Sequence, residues 1–576
     1  MGIRWTGAAA QAAGALALAG TMWGRGGRAE SASPPPSAVL AAAMATGDAP
    51  GTEAATGSIK AASTGKGAAL DASGDHARRD MYGIINLAPP PIFRALINAR
   101  SQVAFEYTGL DNSPHVGFFD GQRVIDVSPP GALASSLGAL NDRAVLAAQT
   151  RPTIPDTFLP FRWTATGGLT FLPDPDPGAD TFVNDINNRG RIVGFSQVVD
   201  RAVRWDAANR LVPLQLPAGF TQSLAGDINE FNITAGAATA ADGNSHAVLW
   251  DAAGRLIDLG TFGAMSAVAG PINNRNEVAG ATLNLDPAGN QNFRAFLWNR
   301  RDGIAFVTRP GPNTFIAALN ERNEAVGRLL PPGFSRNRAF YFSRKRGFVD
   351  LHQAPFIESS AGDINDQGTI VGSMIRANPD GSQTELAFRW SNLVAVDLNT
   401  RLLNAPAGLV LTQALGISAS GDIVANSNAG LLLLRLGGAR ADGPVLGPLT
   451  LNEPIRPNVA TTLMQSFSDR NAHDTHAATV DWGDGSGPEP ASVRENKGVG
   501  DVSATHTYAS SGEFTIVVRV TDSAGKTTTT FRHVSVEPPR PFVGNGNGDR
   551  NTSRRELFGP QTPLALQTWV NRHRKK

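Results

Sequence analysis

Acidic residues recur in this chain at spacings that could support two kinds of chemistry. Asp185, Asp227 and Asp363 each open an Asp-Ile-Asn segment; glycoside hydrolysis requires paired carboxylates about 5 to 10 Å apart, but these acids recur too unevenly to look like a selected catalytic set. Asp363, Asn365 and Gly368 also copy the start of an EF-hand calcium loop. The loop then needs an acidic ligand and a closing bidentate Glu, and those places hold Gln367 and Met374, so the copy fails and turn formation explains it. Asp481, Asp484 and Asp522 could converge on calcium if their loops share one end of a β-sandwich; the competing role is turn formation at the Asp-Gly pairs. His473 and His476 stand close together without further ligands at metal spacing, which reads as a surface loop. Trp163, Trp205, Trp250, Trp298 and Trp390 could stack sugars, but each stands at the same place in a strand amid apolar residues, which favours packing. Gly-Xaa-Ser-Xaa-Gly, His-Glu-Xaa-Xaa-His and phosphate-loop motifs are absent.

A repeated unit has to position these groups. Asp185-Ile-Asn-Asn-Arg-Gly-Arg-Ile-Val-Gly194 returns as Asp227–Gly236, Pro271–Gly280, Ala318–Gly327 and Asp363–Gly372, with weaker copies from Ile97, Leu140 and Ile417. The aligned Ile/Leu positions lie 42 to 53 residues apart. Between copies runs an aromatic strand, as in Phe161-Arg-Trp163, Val203-Arg-Trp205, Val248-Leu-Trp250, Phe296-Leu-Trp298, Phe340-Tyr-Phe342 and Phe388-Arg-Trp390. Asp251-Ala-Ala-Gly254 then forms a tight turn, its Gly supplying the positive φ, before the strand Leu256–Gly260. The Asn-rich link after each Asp-Ile suits residues that visit the left-handed region.

Four short strands in about 45 residues is the size of a propeller blade, which buries its faces only against neighbouring blades. Seven complete sets run from about residue 91 to 410. The eighth copy supplies three strands, ending with Gly430-Leu-Leu-Leu-Leu-Arg435, while Met81–Leu87 is an unassigned strand at the other end. Pairing of these two runs closes a ring of eight blades, with the last shared between the termini. A ring of seven, the eighth copy packed outside, is the alternative.

From about Pro448 the pattern changes. Val480-Asp-Trp-Gly-Asp-Gly485, Thr505-His-Thr-Tyr508 and the alternating run Phe514–Val520 suit a β-sandwich of about 90 residues anchored on Trp482. The tail after Glu537 carries eight Lys/Arg against Asp549 and Glu556, net +6, and reads as a solvated end.

The whole chain of 576 residues has a net charge of +1, which argues against nucleic acid or an anionic membrane surface as its partner. Zero cysteines remove disulfides, thiolate metal sites and cysteine nucleophiles. A run of 18 apolar residues, enough for a membrane span, is missing. Arg4 followed by the apolar stretch Ala8–Gly20 and small residues reads as a secretory signal. Residues 33–80 hold no aromatic side chain and are expected to be disordered.

The Asp-Ile-Asn-Asn-Xaa-Gly-Xaa-Ile-Val-Gly motif, with Ala-Phe-Xaa-Trp between copies, resembles the bacterial HAF repeat over roughly residues 90 to 436. His246-Ala247-Val248 comes nearest to the family's His-Ala-Phe; other copies replace the histidine. The Asp-Trp-Gly-Asp-Gly and His-Thr-Tyr-Xaa-Xaa-Xaa-Gly-Xaa-Phe-Thr-Ile pair resembles the PKD domain. Both resemblances imply export and surface display and neither implies an established reaction.

The expected organisation is an all-β chain: signal-like segment 1–32, disordered linker 33–80, propeller 81–438, linker 439–447, immunoglobulin-like PKD sandwich 448–537 and basic tail 538–576. The expected function is a monomeric, non-catalytic binding or adhesion protein, secreted or on a bacterial surface, with an extracellular glycan or protein ligand and no cofactor beyond calcium at Asp481, Asp484 and Asp522. The competing reading is a secreted carbohydrate-active enzyme with acids at the propeller mouth.

Overall fold

The computed structural model describes residues 80–537, apart from 154–156, 176–177, 179, 198–199, 287–288, 334 and 438–442. The signal-like segment, the linker up to residue 79 and the basic tail lie outside the described residues.

Eight small antiparallel sheets form a ring. Their inner strands, which define blades 1 to 8, begin at Ile92, Ala134, Thr181, Phe220, Ser266, Asn313, Glu358 and Leu411. Each inner strand packs beside the next, and the last, Leu411–Ile417, packs beside the first, Ile92–Ile97. Blade 4 is typical, running outward from Phe220–Ile228 through Thr234–Ala240 and Ser245–Trp250 to Leu256–Gly260. The link after its inner strand turns through Asn232 at φ 63°, as do the links at Asn276 and Asn323, because Asn tolerates the left-handed region better than branched residues. The glycine closing each clear motif copy has a different cause. In the clear copies the inner strand is irregular two to three residues before its Asn, which brings a carbonyl oxygen across the second strand. A Cβ on Gly236 would stand 1.9 Å from Leu224 O, and one on Gly372 2.0 Å from Ser360 O.

The ring closes through the two ends of the propeller. Blade 8 holds Leu411–Ile417, Ile423–Ser427 and Gly430–Leu436, and its outer strand is Tyr82–Ala88, paired as Ile84 with Leu434 and Asn86 with Leu432. Arg389 of blade 7 clasps the seam from outside, donating to Tyr82 Oη at 3.2 Å and to Asp80. Eight blades are therefore present. Blade 3 departs from the expected four strands: its outer strand is reduced to one bridge between Trp205 and Leu211. The segment that follows packs Leu214 and Leu216 inward instead.

Hydrophobic clusters lie between blades, as expected for sheets too small to bury a face alone. Trp250 of blade 4 packs with Val193 and Ala202 of blade 3, and Trp390 of blade 7 with Val326 and Tyr341 of blade 6. Trp205, Trp250 and Trp390 are fully buried. Their indole N–H groups donate to backbone carbonyls of Pro173, Gln215 and Leu351, so these rings are structural. The arginine beside the tryptophan reaches forward across the seam. Arg162 donates to Gly190 O and Ala207 O of blade 3, and Arg204 to Ala252 O of blade 4.

The C-terminal module has seven strands in the order Val445–Leu451, Ala460–Ser468, Val499–Thr507, Glu489–Asn496, His476–Asp481, Gly512–Asp522 and Thr527–Val536. Thr528 Oγ1 donates to Pro444 O and Arg532 to Leu449 O, nearly closing the two ends. Trp482 is fully buried, with Val480, Tyr508, Ile516 and Val518 around it. The module rests on blade 8: Leu446 N donates to Asn86 Oδ1 at 3.0 Å, and Ser466 and Ser468 donate to Ala407 O and Asn404 O. No helix among the described residues is long and apolar enough to cross a membrane.

Candidate functional site at the inter-blade loops

The loop between inner and second strands recurs eight times around one mouth of the ring, and its polar side chains are held from blade to blade. The motif asparagine is nearly buried in each clear copy. Its Nδ2 donates to the backbone oxygen of the corresponding residue in the next blade: Asn98 to Asn141, Asn141 to Asn187, Asn187 to Asn229, Asn229 to Asn273, Asn273 to Asn320, Asn320 to Asn365 and Asn365 to Ser418, all at 2.9 to 3.1 Å. Its Oδ1 accepts from two N–H groups of its own loop, as Asn229 does from Phe231 and Ile233. An amide fills both roles because it carries donors and acceptor at once. The eighth seam uses hydroxyls instead, with Ser101 Oγ 3.2 Å from Ser418 Oγ and 3.1 Å from Ser420 Oγ.

A second relay runs one residue further along. Ala99 N donates to Asp142, Asp142 N to Asn188, Asn188 N to Glu230, Glu230 N to Asn274, Asn274 N to Glu321 and Glu321 N to Asp366. The acids at this mouth are thus committed to the loops beside them.

Asp185, Asp227 and Asp363 serve the same end. Each carboxylate accepts from the Ile N–H of the following blade, Ile228, Ile272 and Ile417, at 2.9 to 3.2 Å. In blade 1, where Leu96 replaces the aspartate, Arg94 donates to Leu137 O, and Glu106 accepts from Leu137 N and Ser136 Oγ. Asp185 and Asp227 are adjacent enough to interact directly. Burial, and then the Asp185 carboxylate, push the Asp227 carboxyl well above the usual range, against a smaller pull from the Ile272 and Ile228 N–H groups.

The folded chain therefore keeps a proton that the unfolded chain releases near pH 3.9. This contribution to stability is full below that value and is lost as pH rises through the raised folded value. Asp227→Asn, which keeps an acceptor for Ile272 N and adds a donor toward Asp185, is expected to raise the propeller's melting temperature at pH 7.5 by about 1 to 3 °C. The gain should be smaller at pH 4. An equal or larger gain at pH 4 in thermal melts would contradict the shared proton.

On blade 1, His115 Nδ1 lies 2.6 Å from Asp126 and Nε2 3.0 Å from both Ser113 Oγ and Asp111 Oδ1. This has the outline of an acid-histidine-serine array. Ser113 Oγ, however, donates to Asp111 Oδ2 at 2.9 Å, so its proton points away from the imidazole. Burial alone would lower the His115 pKa; the hydrogen bonds and charges of Asp126 and Asp111 outweigh it and raise it. A charged imidazole is a poor general base. His246 with Asp258, and Arg338 with Asp350, make the same link between third and outer strands, which identifies a hairpin clamp.

In the C-terminal module the three expected calcium ligands do not meet. Pairing places His476 opposite Asp522 and Asp481 opposite Val517, so Asp481 and Asp522 stand at opposite ends of that strand pair. Asp481 accepts from Gly483 N and Asp484 from Ser486 N and His506 Nε2, the turn role of Asp-Gly segments. Asp522 instead meets Asp469 and Asp474, their ligand oxygens all within 4.8 Å of one another. Three carboxylates suit a hard cation such as calcium. Asp469 and Asp474 went unread because their partner lies about 50 residues away; the acid pair flanking Asn471 was the available signal. His476 also departs from a surface loop. Its side chain is fully buried, packs on Phe467 and contacts Asp469 at 3.2 Å and Glu495 at 2.6 Å; His473 is exposed.

Residues 442–536 match the family described as the PKD domain. Among solved structures, the PKD1 domain of Vibrio anguillarum Epp is 22% identical, covering 17% of this chain and 100% of its own, with a TM-score of 0.14. A catalytically inactive virginiamycin B lyase from Staphylococcus aureus is 13% identical, covering 51% and 91%, at a TM-score of 0.33. The β-propeller domain of the Trilobed protease from Pyrococcus furiosus is 7% identical, covering 55% and 98%, at 0.32. No curated protein matches the chain.

Proposed function

We propose that this chain is an exported, non-catalytic binding protein, with the propeller as a rigid ligand platform and the PKD module as spacer or interaction unit. The observation that carries this reading is the commitment of the mouth's carboxylates. Asp185, Asp227 and Asp363 each accept a backbone N–H across a seam, where a catalytic acid would have to exchange protons with substrate. Binding residues on loops held by a stiff scaffold are the usual arrangement for recognition. The motif copies over residues 90 to 436 support assignment to the HAF repeat, and with the PKD match they support display outside the cell, after removal of a signal within residues 1–32. A glycan and matrix-protein array, run beside an assay for polysaccharide cleavage, tests the reading. Selective retention without shortening of any polymer is expected, and turnover of a bound glycan would replace it with the enzyme reading.

Calcium, on this reading, is held at Asp469, Asp474 and Asp522 and stiffens the module. Addition of 1 mM-scale calcium, a range suited to extracellular modules, is expected to raise the module's calorimetric transition, and Asp474→Asn to abolish the rise. A transition indifferent to calcium in the unaltered chain counts against the site.

A further inference from the structure

The geometry points to a binding surface for a carboxylated polysaccharide along an arc of arginines at the mouth lined by the inter-blade loops. This rests on the proposed binding role and names the ligand class.

The residue two places after the motif asparagine is exposed in every blade. From blade 1 to blade 6 it is Arg100, Arg143, Arg189, Phe231, Arg275 and Arg322. Successive positions belong to loops joined by the asparagine bonds of 2.9 to 3.1 Å, so the arc is a fixed, curved row. Arg322 is engaged, donating to Asp366 O and Glu324. The backbone N–H groups of Arg100, Arg143, Arg189 and Arg275 donate to the motif asparagines, but among the described residues their guanidinium groups make no hydrogen bond or ion pair, although Arg275 is close enough to Glu321 to pull on its carboxylate. Blades 7 and 8 carry Gln367 and Ser420 at this place and end the arc.

A regular row of free guanidinium groups fits a polymer with regularly spaced planar anions, since the guanidinium fork matches a carboxylate in bidentate fashion. Phe231, 53% exposed in the middle of the row, offers an apolar face to a sugar ring. The intervening acids Asp142, Glu230, Glu321 and Asp366 decide among polyanions. They would repel a densely charged polyphosphate or nucleic-acid backbone, while a uronic acid polymer, with one charge per sugar, can place its carboxylates beside the arginines alone.

The test uses the full chain, with all eight Lys/Arg after Glu537 changed to Gln so that the basic tail does not bind polyanions itself. Polygalacturonate, its fully methyl-esterified form, single-stranded DNA and long-chain polyphosphate are immobilised, and affinity is measured at 0.05 and 0.5 M salt. Polygalacturonate is expected to bind, weakening at high salt, and the esterified polymer not to. R100Q/R143Q/R189Q should lose about tenfold or more in affinity, given the modest strength of each exposed charge contact. R309Q/R336Q/R376Q, on two loops and the end of the strand Ile370–Ala377 at the opposite mouth, should bind as the unaltered protein does. Thermal melts check that both triples fold, and R275Q alone provides an independent, smaller loss. Equal binding by the R100Q/R143Q/R189Q variant, equal loss by the opposite-mouth variant, or preference for DNA or polyphosphate overturns the proposal. If neutral glycans bind and the triple variant retains them, the arginine site fails and the binding role stands; cleavage of any polymer removes the binding role itself.

Discussion

Deletion of residues 81–88 is expected to open the ring and to abolish the propeller's cooperative unfolding transition at its normal temperature. Tyr82, Ile84 and Leu87 are 1%, 2% and 7% exposed. Burying such side chains is worth about 1.5 to 3 kcal/mol each, so about 4.5 to 9 kcal/mol is lost, comparable with the whole stability of many domains. The pairing from Tyr82–Leu436 to Ala88–Leu431 goes with it. The strand Gly430–Leu436, with four consecutive buried leucines, is left as an open edge. Such an edge invites pairing with other chains, so aggregation on size exclusion should accompany the calorimetric loss. Ile84→Asp, which keeps the strand, should produce a smaller shift of the same sign. A deletion variant that stays monomeric and melts with the intact chain would show that the ring is not closed by this strand.

Asn229→Ala should cost the propeller about 3 to 4 kcal/mol in urea unfolding. Asn229 is 4% exposed, donates to Asn273 O and Asn276 Oδ1, and accepts from Phe231 N and Ile233 N. Four bonds at roughly 1 kcal/mol each, with the abandoned groups enclosed between loops, set that figure. Asn229→Asp keeps the acceptors but sets a buried carboxylate oxygen against Asn273 O and Asn276 Oδ1, so at neutral pH it should cost at least as much as the alanine variant. A cost below about 1 kcal/mol for the alanine variant would mean that water replaces the amide and that the ring is held by packing alone.

The repeat made much of the architecture legible. A period of about 45 residues with a fixed strand order implies blades, and the missing outer strand at one end matched the spare strand at the other, which led to eight blades and to the Tyr82–Ala88 closure. Trp250 and Trp390 read correctly as packing residues because the same strand position was aromatic in unit after unit. Blade 3, counted among the complete four-strand sets, keeps only a bridge at Leu211, and Pro213 two residues on has no N–H to give a ladder.

The candidate sites were less accessible, for a reason visible in particular residues. Asp481 and Asp522 are both in loops or strand ends of one module, and nothing local says that antiparallel pairing puts them at opposite ends. Asp469, Asp474 and Asp522 meet only once the strands His476–Asp481 and Gly512–Asp522 are side by side. Asp185 carries the same motif whether it serves catalysis or accepts Ile228 N from the next blade.

What the sequence determined by itself was the all-β class, the repeating unit and the resemblance of the appended module, while the choice between seven and eight blades waited for the pairing of Tyr82–Ala88 with Gly430–Leu436. These depend on periodicity and turn chemistry, which are written within tens of residues. What the tertiary structure decided was which polar groups are spent and which are free. Asn273 and Asn276 beside Asn229, Ile272 beside Asp227 and Glu495 beside His476 come from the next blade or another strand. A hydrogen bond depends on position to within a few tenths of an ångström, and no local pattern carries that information.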